Sequence, residues 1–141
     1  PMSNPRCDAA LKVAEENNKE LKSSVQFKRM DALDLQTNQK FDIVISNPPY
    51  IPETDKSSMH ENVLNYEPEL ALFVDDEDPL LFYRKIGEFG ASNLNGGGKL
   101  YFEIHERFGE ATRNLLESLG YKEIEIIKDI NGKNRMIKAL I

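Results

Sequence analysis

Apolar and polar residues alternate along this chain with two periods, and the changes of period divide it into elements. Over Ala9 to Leu21, Ala10, Leu11, Ala14 and Leu21 fall near one face, while Lys12, Glu15, Glu16, Lys19 and Glu20 lie mostly opposite. That 3.6-residue period predicts a helix, with Asp8 as its N-cap. Val25 to Met30 alternates with period two and predicts a short strand ending at Asp31. Phe41 to Ser46 carries Ile43-Val44-Ile45, a nearly continuous β-branched run of the kind found in buried parallel strands. Asn47-Pro48-Pro49 stops it abruptly.

Ile51 to Asp78 is a long connection rich in Pro, Asp, Glu and Asn. Val63, Leu64, Tyr66, Leu70, Leu72, Phe73 and Val74 give it apolar anchors, so it reads as an active-site loop and not as a disordered segment. Pro79 suits the first turn of a helix that runs to about Asn93, with Leu80, Leu81, Tyr83, Ile86 and Phe89 for burial. Asn95 to Gly98 reads as a turn, Lys99 to Ile104 as a strand, and Gly109 to Leu119 as a helix stopped by Gly120. Glu123 to Asp129 and Arg135 to Leu140 flank Asn131-Gly132, which makes a terminal hairpin.

Strands separated by helices predict an α/β fold with a mostly parallel sheet, to which the hairpin adds one antiparallel strand. Parallel sheets hold ligands at the carboxyl ends of their strands. Asp31, Asn47 and Glu103 each fall at or near such an end.

The length of 141 residues suits one modest domain. A net charge of −6, with 18 basic residues scattered among 24 acidic ones, gives no patch for neutralising phosphates and leans against a nucleic-acid substrate. The nearest approach to a patch, Lys128 to Lys138, reads as a solvated hairpin. There is no run of about 18 apolar residues, and Pro1 to Lys12 lacks the apolar stretch of a signal peptide. Cys7 is the lone cysteine, and His60 and His105 have no partner at metal-ligand spacing, so neither a disulfide nor a metal site is expected. A cytoplasmic protein is the expectation.

The tetrapeptide Asn47-Pro48-Pro49-Tyr50 carries the chemistry. An amide or aromatic amine nitrogen is a poor nucleophile, because its lone pair is delocalised into the adjoining π-system. Methyl transfer needs that lone pair aimed at the methyl carbon, and two acceptors gripping both N–H hydrogens can hold it so. Asn47 offers a side-chain carbonyl oxygen and Pro48 a backbone carbonyl. The prolines fix φ and remove competing N–H donors, and Asn47, preceding a proline, is pushed into extended backbone. Tyr50 offers a flat face for a planar substrate group. As a bare strand terminator the tetrapeptide would mean little. The apolar strand before it and the long loop after it favour the methylation reading.

From Val25 to Ile141 the chain resembles the C-terminal part of the HemK/PrmC family of protein-(glutamine-N5) methyltransferases, which modify peptide chain release factors. The resemblance rests on Asn47 to Tyr50, Tyr66 to Leu72, Leu80 to Ile86, Gly96 to Ile104 and Asp129 to Arg135. Tyr66-Glu67-Pro68 distinguishes this pattern from nucleic-acid methyltransferases that share the tetrapeptide. The resemblance implies a Rossmann-like class I fold, S-adenosylmethionine as cofactor and a release factor as partner. It also implies cofactor contacts at Asp31 and Ala32, with Asn47 touching both cofactor and substrate. Many relatives carry a larger side chain where Ala32 stands.

The Gly-rich turn and the ribose-binding acid of such enzymes have no counterpart in this sequence; Gly96 to Gly98 precedes a strand and cannot replace the turn. Residues 1–141 therefore read as the C-terminal part of one catalytic domain. The first strands, the Gly-rich loop and an N-terminal substrate domain would be missing. The Phe41–Ser46 flank would then lie open to self-association. Two rivals stand beside glutamine methylation: transfer to N6 of adenine or N2 of guanine, and a fragment that binds without catalysis. Glu103 and Glu106 read as ordinary surface acids, and the role of Glu67 stays open.

Overall fold

The computed structural model describes residues 5–59 and 68–141, which divide into two units at Asp31. In the first unit, helix α1 spans Pro5–Glu20. Asp8 lies in its first turn, not at its cap, where a carboxylate favours the positive end of the helix dipole, and it pairs with Arg29 at 2.7 Å. Cys7, Leu11, Ala14 and Asn18 form its half-buried stripe.

Val25 to Met30 does not form the expected strand. A strand exists through its ladder, and Val25 satisfies its backbone otherwise. The Asn18 side chain donates to the Val25 carbonyl at 3.1 Å and accepts from its N–H at 3.2 Å. Alternation in the sequence thus found no neighbouring strand, and Val25, Phe27 and Met30 remain exposed.

The second unit is built on a four-stranded sheet of β1 (Phe41–Ser46), β4 (Leu94–Glu103), β5 (Lys122–Lys128) and β6 (Asn134–Leu140), in the order β1-β4-β6-β5. β1 pairs with β4 in parallel, and β6 inserts antiparallel between β4 and β5, so three of the four strands run the same way. The Asn131-Gly132 turn makes this insertion: Gly132 has φ +77°, and Asp129 N–H donates to the Lys133 carbonyl at 2.8 Å. α3 (Leu81–Asn93) and α4 (Gly109–Ser118) pack on the sheet.

Along β4, Leu100 and Phe102 point into the core with Ile137 and Ala139 of β6, and Ile104 continues the row just past the strand. Tyr83 and Ile86 from α3 and Leu116 from α4 close over them. Tyr83 meets Phe102 edge-on at 5.2 Å. Each such side chain contributes about 1.5–3 kcal/mol by leaving water. α4 stops in a Schellman motif: Gly120 takes φ +93°, Tyr121 N–H donates to the Leu116 carbonyl and Gly120 N–H to that of Glu117.

Three expectations change. β1 is buried on one face only. It is the edge strand, and Ile43 and Ile45 on its second face are 53% and 75% exposed. The Asn95–Gly98 turn lies within β4, where Leu94 pairs with Phe41 and Lys99 with Ile43, so four residues bulge opposite Asp42 alone. The long connection carries structure of its own. β2 (Ile51–Pro52) pairs in parallel with β3 (Phe73–Val74), a 3₁₀ turn spans Glu53–Ser58, and α2 covers Glu69–Leu72. Leu72, Phe73 and Val74 are anchored as expected, whereas Val63, Leu64 and Tyr66 lie outside the described residues. Among the described residues no helix is long and apolar enough to cross a membrane.

Candidate active site

The carboxyl ends of β1 and β4 lie side by side because the two strands are parallel and in register, with Ser46 opposite Phe102. The next residues along each strand are Asn47 and Glu103. Asn47 is exposed, Pro48 is buried, and Pro49 and Tyr50 are half-buried. Burying Pro48 costs little, because it has no N–H to leave unpaired. No hydrogen bond to another described residue engages the Asn47 side chain, so its carboxamide is available to a ligand. Ala71 and Leu72 of α2 join Asn47, Pro48, Tyr50 and Ile51 around a hollow of about 60 Å³. β2 and β3 hold α2 there by tying the two limbs of the loop together.

Tyr50 turns back from the tetrapeptide and donates from its hydroxyl to Glu103 Oε1 at 2.6 Å. The Glu103 backbone carbonyl accepts from the Tyr83 hydroxyl at 3.2 Å. Burial, and then the Glu103 carboxylate, push the Tyr50 phenol up to about 12. Arg135, at the start of β6, sits near enough to the phenolic oxygen to oppose that shift. Its guanidinium is held by Asp129 at 3.2 Å, and Asp129 also accepts from the Asn131 and Lys133 backbone N–H groups in the hairpin turn.

His105 completes the wall beneath Tyr50, its ring edge-on to the phenol at 6.1 Å. Its Nδ1 accepts from Arg107 N–H at 3.2 Å, which leaves the proton on Nε2, 3.5 Å from the Asp55 carboxylate. Burial, and then the neighbouring Arg107, lower its pKa, so the neutral ring is favoured. Asp55 also pairs with Arg107, which fastens the 3₁₀ turn of the loop to the end of β4.

Asn47, Pro48, Pro49 and Tyr50 form one surface. Asp31 is exposed and closes the first unit, while half-buried Ala32 opens the second. Glu67 and His60 lie outside the described residues. Glu103 was expected to be an ordinary acid and instead holds Tyr50; its place at the end of the strand beside Asn47 was the available signal. Glu106 does behave as a surface acid, paired with Lys133 at 2.8 Å. Nothing in the sequence pointed to these roles of His105 and Arg135, although Arg135 closes one of the segments that carry the resemblance, because the roles depend on which strand ends become neighbours.

Against known proteins, residues 4–134 match the model of a family described as Eco57I restriction-modification methylase. A release factor glutamine methyltransferase of Bacteroides thetaiotaomicron is 48% identical over 94% of this chain and 48% of its own length. One of Flavobacterium psychrophilum is 47% identical over 94% of this chain and 47% of its own. The chain therefore spans about half the length of the curated relatives it matches. Among solved structures, a methyltransferase from Pyrococcus furiosus superposes with a TM-score of 0.59 at 18% identity, covering 92% of this chain and 56% of that one. At that identity the likeness speaks for the fold, a class I methyltransferase sheet.

Proposed function

Because the chain belongs to the Eco57I restriction-modification methylase family, we propose that it forms the C-terminal part of an S-adenosylmethionine-dependent catalytic domain that methylates the side-chain amide nitrogen of a glutamine in a peptide chain release factor. The observation that carries this reading is the uncommitted carboxamide of Asn47 beside the Pro48 backbone at the carboxyl end of a parallel strand. The names of the relatives at 47–48% identity support the choice of glutamine.

S-adenosylmethionine, when bound, supplies an electrophilic methyl group on sulfur. The exposed Asn47 carboxamide, which can both donate and accept, suits so polar a ligand. Asp31 and Ala32 are the further residues proposed to hold it. For the substrate, the Asn47 side-chain oxygen and the Pro48 carbonyl accept the two N–H hydrogens of the amide. That grip turns the nitrogen lone pair toward the methyl group and favours its pyramidal form. The Tyr50 ring backs the planar amide. The proton lost after transfer passes to solvent.

The family description also fits a second reading, transfer to an exocyclic amine of a nucleic-acid base. Charge speaks against it: Lys133, Arg135 and Lys138 of the hairpin pair with Glu106, Asp129 and Glu125, which leaves little for phosphates. A release factor as partner places the protein in the cytoplasm.

Replacing Asn47 in the full-length protein tests the reading. Asn47→Ala removes one of two oriented acceptors and should lower kcat by roughly 10²-fold or more. Asn47→Asp keeps an acceptor oxygen and should be milder. Near wild-type turnover by Asn47→Ala would remove Asn47 from the chemistry.

A further inference from the structure

We propose that Glu103 and Arg135 are positioning residues for methyl transfer, acting on the Asn47–Tyr50 tetrapeptide through the Tyr50 hydroxyl. This rests on the reading of that tetrapeptide as the grip on the acceptor nitrogen.

Asn47 and Pro48 must present two acceptors at fixed separation, yet the segment that carries them is a strand end opening into a long loop. Prolines stiffen φ but leave ψ free at each step. Something beyond the tetrapeptide has to fix where it points. The Tyr50 hydroxyl supplies that anchor with its 2.6 Å bond to Glu103 Oε1. Glu103 is itself rigidly placed. It lies in the central strand β4, paired with Met136 of β6, and its carbonyl accepts from the buried hydroxyl of Tyr83. Arg135, backbone-paired to Ile104 just past Glu103, brings its guanidinium near the phenolic oxygen of this pair. Arg135 is set by two contacts: its own carbonyl accepts from Ile104 N–H at 2.8 Å, and its Nε donates to Asp129 Oδ2 at 3.2 Å. Asp129 in turn closes the hairpin turn.

The route from hairpin to tetrapeptide is therefore continuous: Asp129 to Arg135, then the Tyr50–Glu103 pair, then Pro48 and Asn47. It also gives the terminal hairpin a task beyond completing the sheet. Inserting β6 beside β4 delivers a cation to the phenol–carboxylate pair. None of these residues need touch the substrate.

The test is a double-mutant cycle in the full-length protein, with kcat and the KM for S-adenosylmethionine measured for whichever acceptor the protein uses. Glu103→Ala should lower kcat about tenfold to 10²-fold, the scale of a tetrapeptide misplaced by about 1 Å, with KM changed less than about twofold. Glu103→Gln keeps an acceptor oxygen and should recover most of the loss. Arg135→Lys keeps charge without the fork and should fall between wild type and Arg135→Ala. In a Tyr50→Phe background, Glu103→Ala should have almost no further effect, because the two changes remove one bond. Additive losses would overturn the proposal, as would equal losses for Glu103→Gln and Glu103→Ala. A nucleic-acid acceptor would overturn the substrate reading and leave this cycle interpretable.

Discussion

The Tyr50 hydroxyl donates a 2.6 Å hydrogen bond to Glu103 Oε1 across 53 positions of sequence. It joins the end of the edge strand to the end of the central strand and ties the tetrapeptide to the sheet through a side chain. The environment that makes this bond also sets how Tyr50 titrates.

An unfolded tyrosine ionises near pH 10, whereas burial and the Glu103 carboxylate hold Tyr50 to about 12. The folded state keeps this proton more tightly, so the associated stability is fully present below pH 10 and is lost as pH rises through 12. Urea midpoints of the wild-type protein should fall over that window, and those of Tyr50→Phe should fall less steeply. Tyr83 and Tyr121, also pushed upward by burial, would account for the remaining slope. Identical slopes in the two proteins would show that Tyr50 ionises as it would in water.

A second prediction concerns the packing of α3. The buried Tyr121 hydroxyl donates to the Gly87 carbonyl at 2.8 Å, and a Cβ added at Gly90 would stand 2.3 Å from that same hydroxyl oxygen. Gly90→Ala should cost about 1–3 kcal/mol by overpacking. In Tyr121→Phe, which itself costs about 1 kcal/mol through the lost bond, the clashing oxygen is gone. The next ring atom lies 3.6 Å away. Denaturant unfolding of the two single variants and the double variant should therefore give a sum well above the double. Simple additivity would place the strain of Gly90→Ala elsewhere.

The open edge of β1 yields a third. Among the described residues no strand pairs with the outer edge of β1, where Ile43 and Ile45 present apolar surface, the arrangement that recruits a second chain. The 141-residue chain should self-associate in sedimentation velocity at tens of micromolar. Ile45→Lys should shift it toward monomer with little change in unfolding midpoint, because Ile45 is 75% exposed. A wild-type chain that stays monomeric at those concentrations would show that this edge recruits no second copy.

Local signals in the sequence located β1, the second half of β4, α3, α4 and the terminal hairpin to within a few residues, because each carries its own period, glycine stop or turn pair. The likeness to methyltransferase structures agrees with the fold class that those elements predict. Val25 to Met30 shows the limit of such reasoning. Its alternation states what a strand would bury, while only a neighbour decides whether a strand exists, and Asn18 took the Val25 backbone instead. β2 and β3 escaped notice because two-residue strands have no period to read. Asn47 to Tyr50 was legible as a contiguous motif. Glu103, His105 and Arg135 were not, because a parallel register and an inserted strand bring them to Tyr50 from more than 50 residues away.

The central claim is tested most directly by following the methyl group. The full-length protein would be incubated with radiolabelled S-adenosylmethionine and, in parallel, a release factor, duplex DNA and transfer RNA. Label should enter the release factor, with mass spectrometry placing one added methyl on a glutamine side chain. It should not enter either nucleic acid. Label in nucleic acid with none in the release factor would contradict the account and assign the Asn47 grip to a base amine.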